Sequence, residues 1–100
     1  MTQQFKDLDP LLHSQLRLAV VSILMTVEVA EFSYLREKTE ATAGNLSIQI
    51  TKLKDGGYIE VTKKFRDNYP LTLCRITPAG RKKFLEYVKA LEEYLNPGKH

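Results

Sequence analysis

The sequence predicts a mainly α (α+β) domain with its elements in the order α-(β)-α-α-β-β-α. Three observations carry that expectation. Asp9-Pro10 and Thr77-Pro78 each stand before a stretch in which apolar residues return every three or four positions. Between them, "TAGNLSIQITKLKDGGYIEV" (42–61) changes rhythm halfway, from apolar residues three and four apart to apolar residues two apart, with Gly56 and Gly57 at the join. Those spacings belong to a helix and to a half-buried strand. "LTLCRIT" (71–77) then supplies a second β-prone run to return beside the first.

The first helix is expected to start at Asp9-Pro10. Aspartate can accept an amide hydrogen bond that a helix start leaves open, and proline loses nothing at the first helical position. Leu12, Leu16, Ala19, Val20, Ile23, Leu24 and Val27 continue it as one stripe. "VAEF" (29–32) is β-prone and suits one small strand. Ser33 is placed to cap a second helix over 34–40, with Leu35 facing inward. Thr42 caps a third over 43–55, whose buried stripe is Leu46, Ile50 and Leu53 and whose left-handed stop is Gly56 or Gly57. Ile59, Val61 and Lys63 share one face of the strand that follows. "FRDNYP" (65–70) holds turn formers but no Asn-Gly pair, which predicts a connection longer than a two-residue hairpin. Thr77-Pro78 opens the last helix, over 78–95. Its stripe is Phe84, Val88, Leu91 and Leu95, widened by Leu85, Tyr87 and Tyr94.

One hundred residues, 43% hydrophobic and 27% charged, suit a single domain with a core and argue against extensive disorder. Residues 1–8 are polar and expected to be frayed, residues 9–95 to fold, and "NPGKH" (96–100) to form a stop and tail. The longest apolar run, "LAVVSILMTV" (18–27), is too short at about 1.5 Å per residue to cross a hydrocarbon layer roughly 30 Å thick. No secretion signal is visible, so a cytoplasmic protein without membrane association is the expectation. A single cysteine, Cys74, excludes an internal disulfide and any multi-cysteine metal site, and reads as a small apolar strand residue.

Charge is unevenly placed. Residues 42–83 hold nine Lys/Arg against three acids, a net +6, which leaves −3 for the remainder of a chain whose total is +3. Such polarity suggests a partner carrying negative charge. Two short helices joined by a tight turn form a helix-turn-helix, whose second helix presents its outer face to the major groove of DNA. On that face Asn45 and Gln49 suit base edges or phosphates, Ile48 suits a thymine methyl group, and Lys52 suits a phosphate. The hairpin that follows carries Lys63, Lys64 and Arg66 beside a protruding turn. Cations so placed are favoured on the phosphate backbone and in narrow minor grooves. The competing reading is ordinary solvation, since Gln and Lys are common on any wet helix face and charge runs usually only solubilise.

"TAGNLSIQITKLKDGGYIEV" followed by "RDNYPLTLCRITPAGRKKF" resembles the winged-helix transcriptional regulators of the MarR/ArsR-like type. The matching pieces are Gly44-Asn45-Leu46-Ser47 in the recognition helix, Gly57-Tyr58-Ile59 opening a strand, Lys63 to Tyr69 as a basic wing, and Ile76-Thr77-Pro78-Ala79-Gly80 starting a helix. "LDPLLHSQLRLAVVSIL" (8–24) also resembles the first helix of that family, so the likeness spans residues 8–95. It implies a winged helix-turn-helix, a homodimer and a double-stranded DNA partner. It places Thr42, Gly44, Asn45, Ser47, Ile48, Gln49 and Lys52 at the recognition helix, and Lys63, Lys64, Arg66, Asn68 and Tyr69 in the wing. The chain is shorter than typical MarR proteins and lacks the cysteine-rich metal sites of ArsR sensors, so an effector is left unknown.

No other chemistry competes. His13 and His100 form no cluster with ligand spacing, which predicts no metal and no cofactor. No nucleophile motif or phosphate-binding glycine loop appears, and Glu28, Glu31, Glu37 and Glu40 read as a solvated face, so catalysis is not expected. The terminal helices carry wider apolar stripes than a small core uses. Leu12, Leu16, Val20, Phe84, Val88, Leu91 and Leu95 are therefore the expected dimer interface, since pairing across a twofold axis would bury the excess. Two alternatives belong to other classes: a winged-helix protein-interaction module, and a ligand-responsive regulator with a pocket beside the terminal helices.

Overall fold

A 3-10 turn over Pro10–Leu12 precedes the first α-helix in the computed structural model, which describes residues 5–98. The Asp9 carboxylate accepts from the Leu11 amide at 3.0 Å, as a helix cap does, but the turn ends at His13. Ser14 then caps α1, Gln15–Leu24, by accepting from the Arg17 amide at 3.3 Å. The expected single helix is thus two pieces. The break lets Leu12 fold back into the core at 1% exposure while α1 sets Val20, Val21 and Leu24 there.

A two-residue strand β1, Ala30–Glu31, leads directly into α2, Phe32–Thr39. Ser33 lies inside α2 and does not cap it: the N-cap position is Glu31, which makes no side-chain cap bond and whose carboxylate meets Arg66 of the hairpin instead. Glu40, at φ 58°, stops α2 in the left-handed region, and residues 40–42 form the tight connection to α3, Ala43–Asp55. Thr42 caps α3 as expected, its hydroxyl oxygen accepting from the Asn45 amide at 3.2 Å. At the far end the Tyr58 amide bonds back to Leu53 and the Gly57 amide to Lys54. This six-to-one, five-to-two pair needs the left-handed residue that Gly57 supplies at φ 80°.

Strands β2, Ile59–Arg66, and β3, Tyr69–Ile76, form an antiparallel hairpin, and β1 joins the other edge of β3, giving the order β1-β3-β2. The register pairs Ile59 with Ile76 and Val61 with Cys74, so the core-facing side of the hairpin is buried only near its base. The connection is shorter than expected. Asp67 and Asn68 alone make it, at φ 50° and 68°, the paired positive values of a type I′ turn. Aspartate and asparagine enter that region more readily than other residues with a Cβ, so no glycine is needed.

Helix α4, Pro78–Leu95, starts at the Thr77 cap, whose oxygen accepts from the Gly80 amide at 2.8 Å. The same hydroxyl donates to the Gly57 carbonyl at 2.7 Å, tying the start of α4 to the end of α3. Gly80 is required there, because a Cβ would lie 2.2 Å from the Tyr58 carbonyl oxygen. Residues 1–4, half of the segment expected to be frayed, lie outside the described residues. Residues 5–8 run against α4, with the Phe5 and Tyr94 rings 5.1 Å apart and the Tyr94 hydroxyl donating to the Lys6 carbonyl. No helix among the described residues is long and apolar enough to cross a membrane.

Candidate nucleic-acid interface

Helix α3 is anchored by Leu46, Ile50 and Leu53, all buried, which fixes what its opposite side presents. Gly44, Ser47, Ile48, Thr51 and Lys52 are exposed, with Ile48 at 56%. Nothing lies within 4 Å of where a Gly44 Cβ would stand, so the backbone there is open to close approach. The Thr51 hydroxyl donates to the Ser47 carbonyl at 3.0 Å, one turn back on the same exposed face. Thr51 was not among the expected residues, although its spacing from Gly44, Ser47 and Ile48 is helical.

Asn45 and Gln49 occupy the edge of that face and meet each other. The Gln49 amide nitrogen donates to Asn45 Oδ1 at 3.0 Å, and Gln49 Oε1 accepts from Arg17 Nη1. Both ends of the half-buried Gln49 amide therefore have partners within the chain. Arg17 is itself held by a 2.7 Å bond from its Nε to the Leu11 carbonyl, in the turn before α1. Sequence reasoning missed Arg17. It sits among the apolar residues of α1, 32 positions from Gln49, and nothing local marks it.

In the hairpin Lys63, Lys64, Arg66, Asn68 and Tyr69 are all exposed. Lys63 and Phe65 extend the face of Ile59 and Val61 beyond the core, with Phe65 opposite Pro70. Lys64, Arg66 and Tyr69 lie on the reverse face. Arg66 Nη2 stands 3.2 Å from Glu31 Oε2, so one expected DNA contact is also a strut between the hairpin and the start of α2. That pair corrects the placing of Glu31 among purely solvated acids. Phe65 and Tyr69 are 78% and 75% exposed, an unusual outlay of aromatic surface that the sequence reading recognised only at Tyr69.

The expected dimer residues divide. Leu12 and Val20 are sealed in the core of this one chain, at 1% and 0%, and are withdrawn from the interface for that reason. Leu16, Phe84 and Leu91 are half-buried. On α4, Gly80, Tyr87 and Ala90 face inward, which rotates Leu85, Val88 and Leu95 outward at 54%, 37% and 69%.

Three further groups bear on the chemistry. The buried Tyr58 donates its hydroxyl to Asp9 Oδ2 at 2.6 Å, under Lys83 at 5.3 Å from the ring centroid. Burial acts to raise the Asp9 carboxyl, but the bonds from Tyr58 and the Leu11 amide, with Lys83 and His13 nearby, outweigh it and hold the carboxyl below its ordinary value. Burial pushes the Cys74 thiol up to about 11, which keeps it protonated and unreactive near neutral pH. The exposed His13 ring is 6.5 Å from that of Tyr87, His100 lies outside the described residues, and no metal-binding cluster occurs among the described residues.

A family model for a winged helix DNA-binding domain matches residues 16–95. An uncharacterized protein of Methanocaldococcus jannaschii is 34% identical over 76 residues, 76% of this chain and 83% of that one. A transcriptional regulator homologue from Pyrococcus horikoshii OT3 has a similar structure, with a TM-score of 0.80 at 26% identity over 86% of this chain and 85% of that one. A MarR variant from E. coli, solved in complex with operator DNA, shares the fold at a TM-score of 0.71 and 16% identity; the similarity covers 86% of this chain but 61% of that one.

Proposed function

Because the chain belongs to the winged helix DNA-binding domain family, with MarR-like transcriptional regulators rather than enzymes as its structural neighbours, we propose that it regulates transcription as a homodimer bound to specific double-stranded DNA. In this reading α3 enters the major groove, and the hairpin lies on the adjacent minor groove or backbone.

The observation that carries the reading is the outer face of α3. Gly44, Ser47, Ile48 and Thr51 combine open backbone, hydroxyls and methyl groups with a flanking cation at Lys52, and all are exposed among the described residues. Lys63 and Lys64 add charge on a ribbon that follows directly. Dimerisation is supported by the apolar side of α4 that faces away from the core at Leu85, Val88 and Leu95. A twofold axis there would repeat α3 on successive major grooves, about 34 Å apart.

A second reading, as a protein-interaction module, draws on Phe65 and Tyr69, whose exposed rings suit a protein surface as well as a groove. One experiment separates the two. Duplexes bound from a random pool are sequenced, and the mass of the free protein is measured in solution. A palindromic consensus with a dimeric mass is the expected result. Failure to enrich any duplex sequence would remove the DNA reading and leave the interaction module.

A further inference from the structure

Three hydrogen bonds in series connect α1 to the edge of the recognition face. Leu11 accepts from Arg17 Nε at 2.7 Å, Arg17 Nη1 donates to Gln49 Oε1, and Gln49 Nε2 donates to Asn45 Oδ1 at 3.0 Å. The chemistry of the first member decides the direction of the rest. A guanidinium has donors and no acceptor, so the Gln49 atom that meets it has to be the carbonyl oxygen. The Gln49 –NH2 then faces Asn45 and has to meet an oxygen. That turns the Asn45 carbonyl toward Gln49 and its –NH2 away. The cation polarises the amides behind it and strengthens each bond in the same sense.

We infer that Arg17 is a positioning residue for sequence choice: acting through Gln49, it fixes the Asn45 amide so that Asn45 offers a donor to the DNA base edge. The inference rests on the DNA-binding reading above. An unrestrained asparagine pairs with adenine by offering oxygen and nitrogen together, and it can turn over to accept from cytosine. A fixed donor behaves differently. In the major groove it is satisfied by guanine O6 or N7, adenine N7 or thymine O4, while cytosine presents its own N4 donor and is rejected. The relay therefore assigns Asn45 a base pair at which cytosine on the contacted strand is excluded. It also gives Gln49 the task of orienting its neighbour rather than reading a base itself.

The test compares duplexes selected from a random pool by the full chain and by two variants. Arg17→Met keeps the stem but removes every donor. Gln49→Leu keeps volume and leaves the Arg17 charge in place, so it breaks the relay without altering the electrostatics of the surface. Both variants should admit cytosine at the same single position, with preference there falling about tenfold and the rest of the consensus retained. The inference is overturned if Gln49→Leu selects the wild-type consensus, or if Arg17→Met merely weakens binding to all sequences alike. Should the wild-type chain itself select no sequence, the DNA-binding reading fails and the relay falls with it, a result distinct from a wild-type consensus that survives both substitutions.

Discussion

Tyr58 joins distant parts of the chain through single atoms. Its ring is wholly buried, its hydroxyl donates to Asp9, and its carbonyl sits against Gly80 at the start of α4. Tyr58→Phe deletes one donor to a half-buried carboxylate while keeping the ring, which should cost roughly 1 kcal/mol near neutral pH. The loss should depend on pH. Asp9 titrates below its ordinary 3.8 in the folded chain, so its contribution is present above that value and disappears as pH falls through the depressed folded value. Removing Tyr58 Oη takes away part of the depression. Urea denaturation of both proteins should therefore show a larger gap at about pH 6 than at about pH 2.5, and an equal gap at both would deny the link. Residues of this kind were only partly legible beforehand. Asp9 was read correctly as a cap acceptor, but the cap closes a 3-10 turn, because nothing local weighs Ser14 against an unbroken apolar stripe. Arg17 was invisible for the same reason: its partners are set by how α1 crosses α3.

Elements whose ends are set by nearby residues were the ones the sequence made legible. Thr42 and Thr77 each stand three residues before the amide they cap, and Gly57 stands where a left-handed residue closes α3, so α3 and α4 have their expected bounds. The hairpin turn departs from expectation: the lack of an Asn-Gly pair points to a longer connection, yet Asp67 and Asn68 form a two-residue one. That turn makes its own prediction. Asn68→Gly should stabilise the chain by about 0.5 kcal/mol, because glycine meets no Cβ penalty at a φ of 68°. A thermal melt reads the change, and a lower midpoint would show that the asparagine side chain matters more than its backbone. The same hairpin separates two kinds of cation. Lys63 and Lys64 have no ion pair among the described residues, whereas Arg66 is shared with Glu31. Lys63→Ala with Lys64→Ala should reduce the slope of log affinity against log salt by about two, and Arg66→Ala alone by less than one. Identical salt dependence for the double variant and wild type would remove the hairpin from the DNA contact.

For the whole molecule the surface that bears on assembly is α4, which at about 1.5 Å per residue is some 27 Å long and uses only part of its circumference on its own core. Gly80, Tyr87 and Ala90 take the inner side. The outer side then holds Leu85, Val88 and Leu95, apolar side chains that a solvated helix would replace with charge. A second copy related by a twofold axis covers such a stripe with its own equivalent and needs no other partner. Val88→Glu places a carboxylate in the middle of that stripe while leaving the monomer core untouched. The prediction is a helical spectrum like that of wild type, a solution mass halved from dimer to monomer, and a fall of at least about a hundredfold in affinity for a palindromic duplex. The last effect is large because the two α3 helices reinforce each other only when they are linked: once one has bound, the second meets its half-site at the high local concentration set by the dimer. A Val88→Glu chain that kept both its dimeric mass and its affinity would move the interface off α4, while one that lost affinity yet stayed dimeric would make this face part of the DNA contact instead.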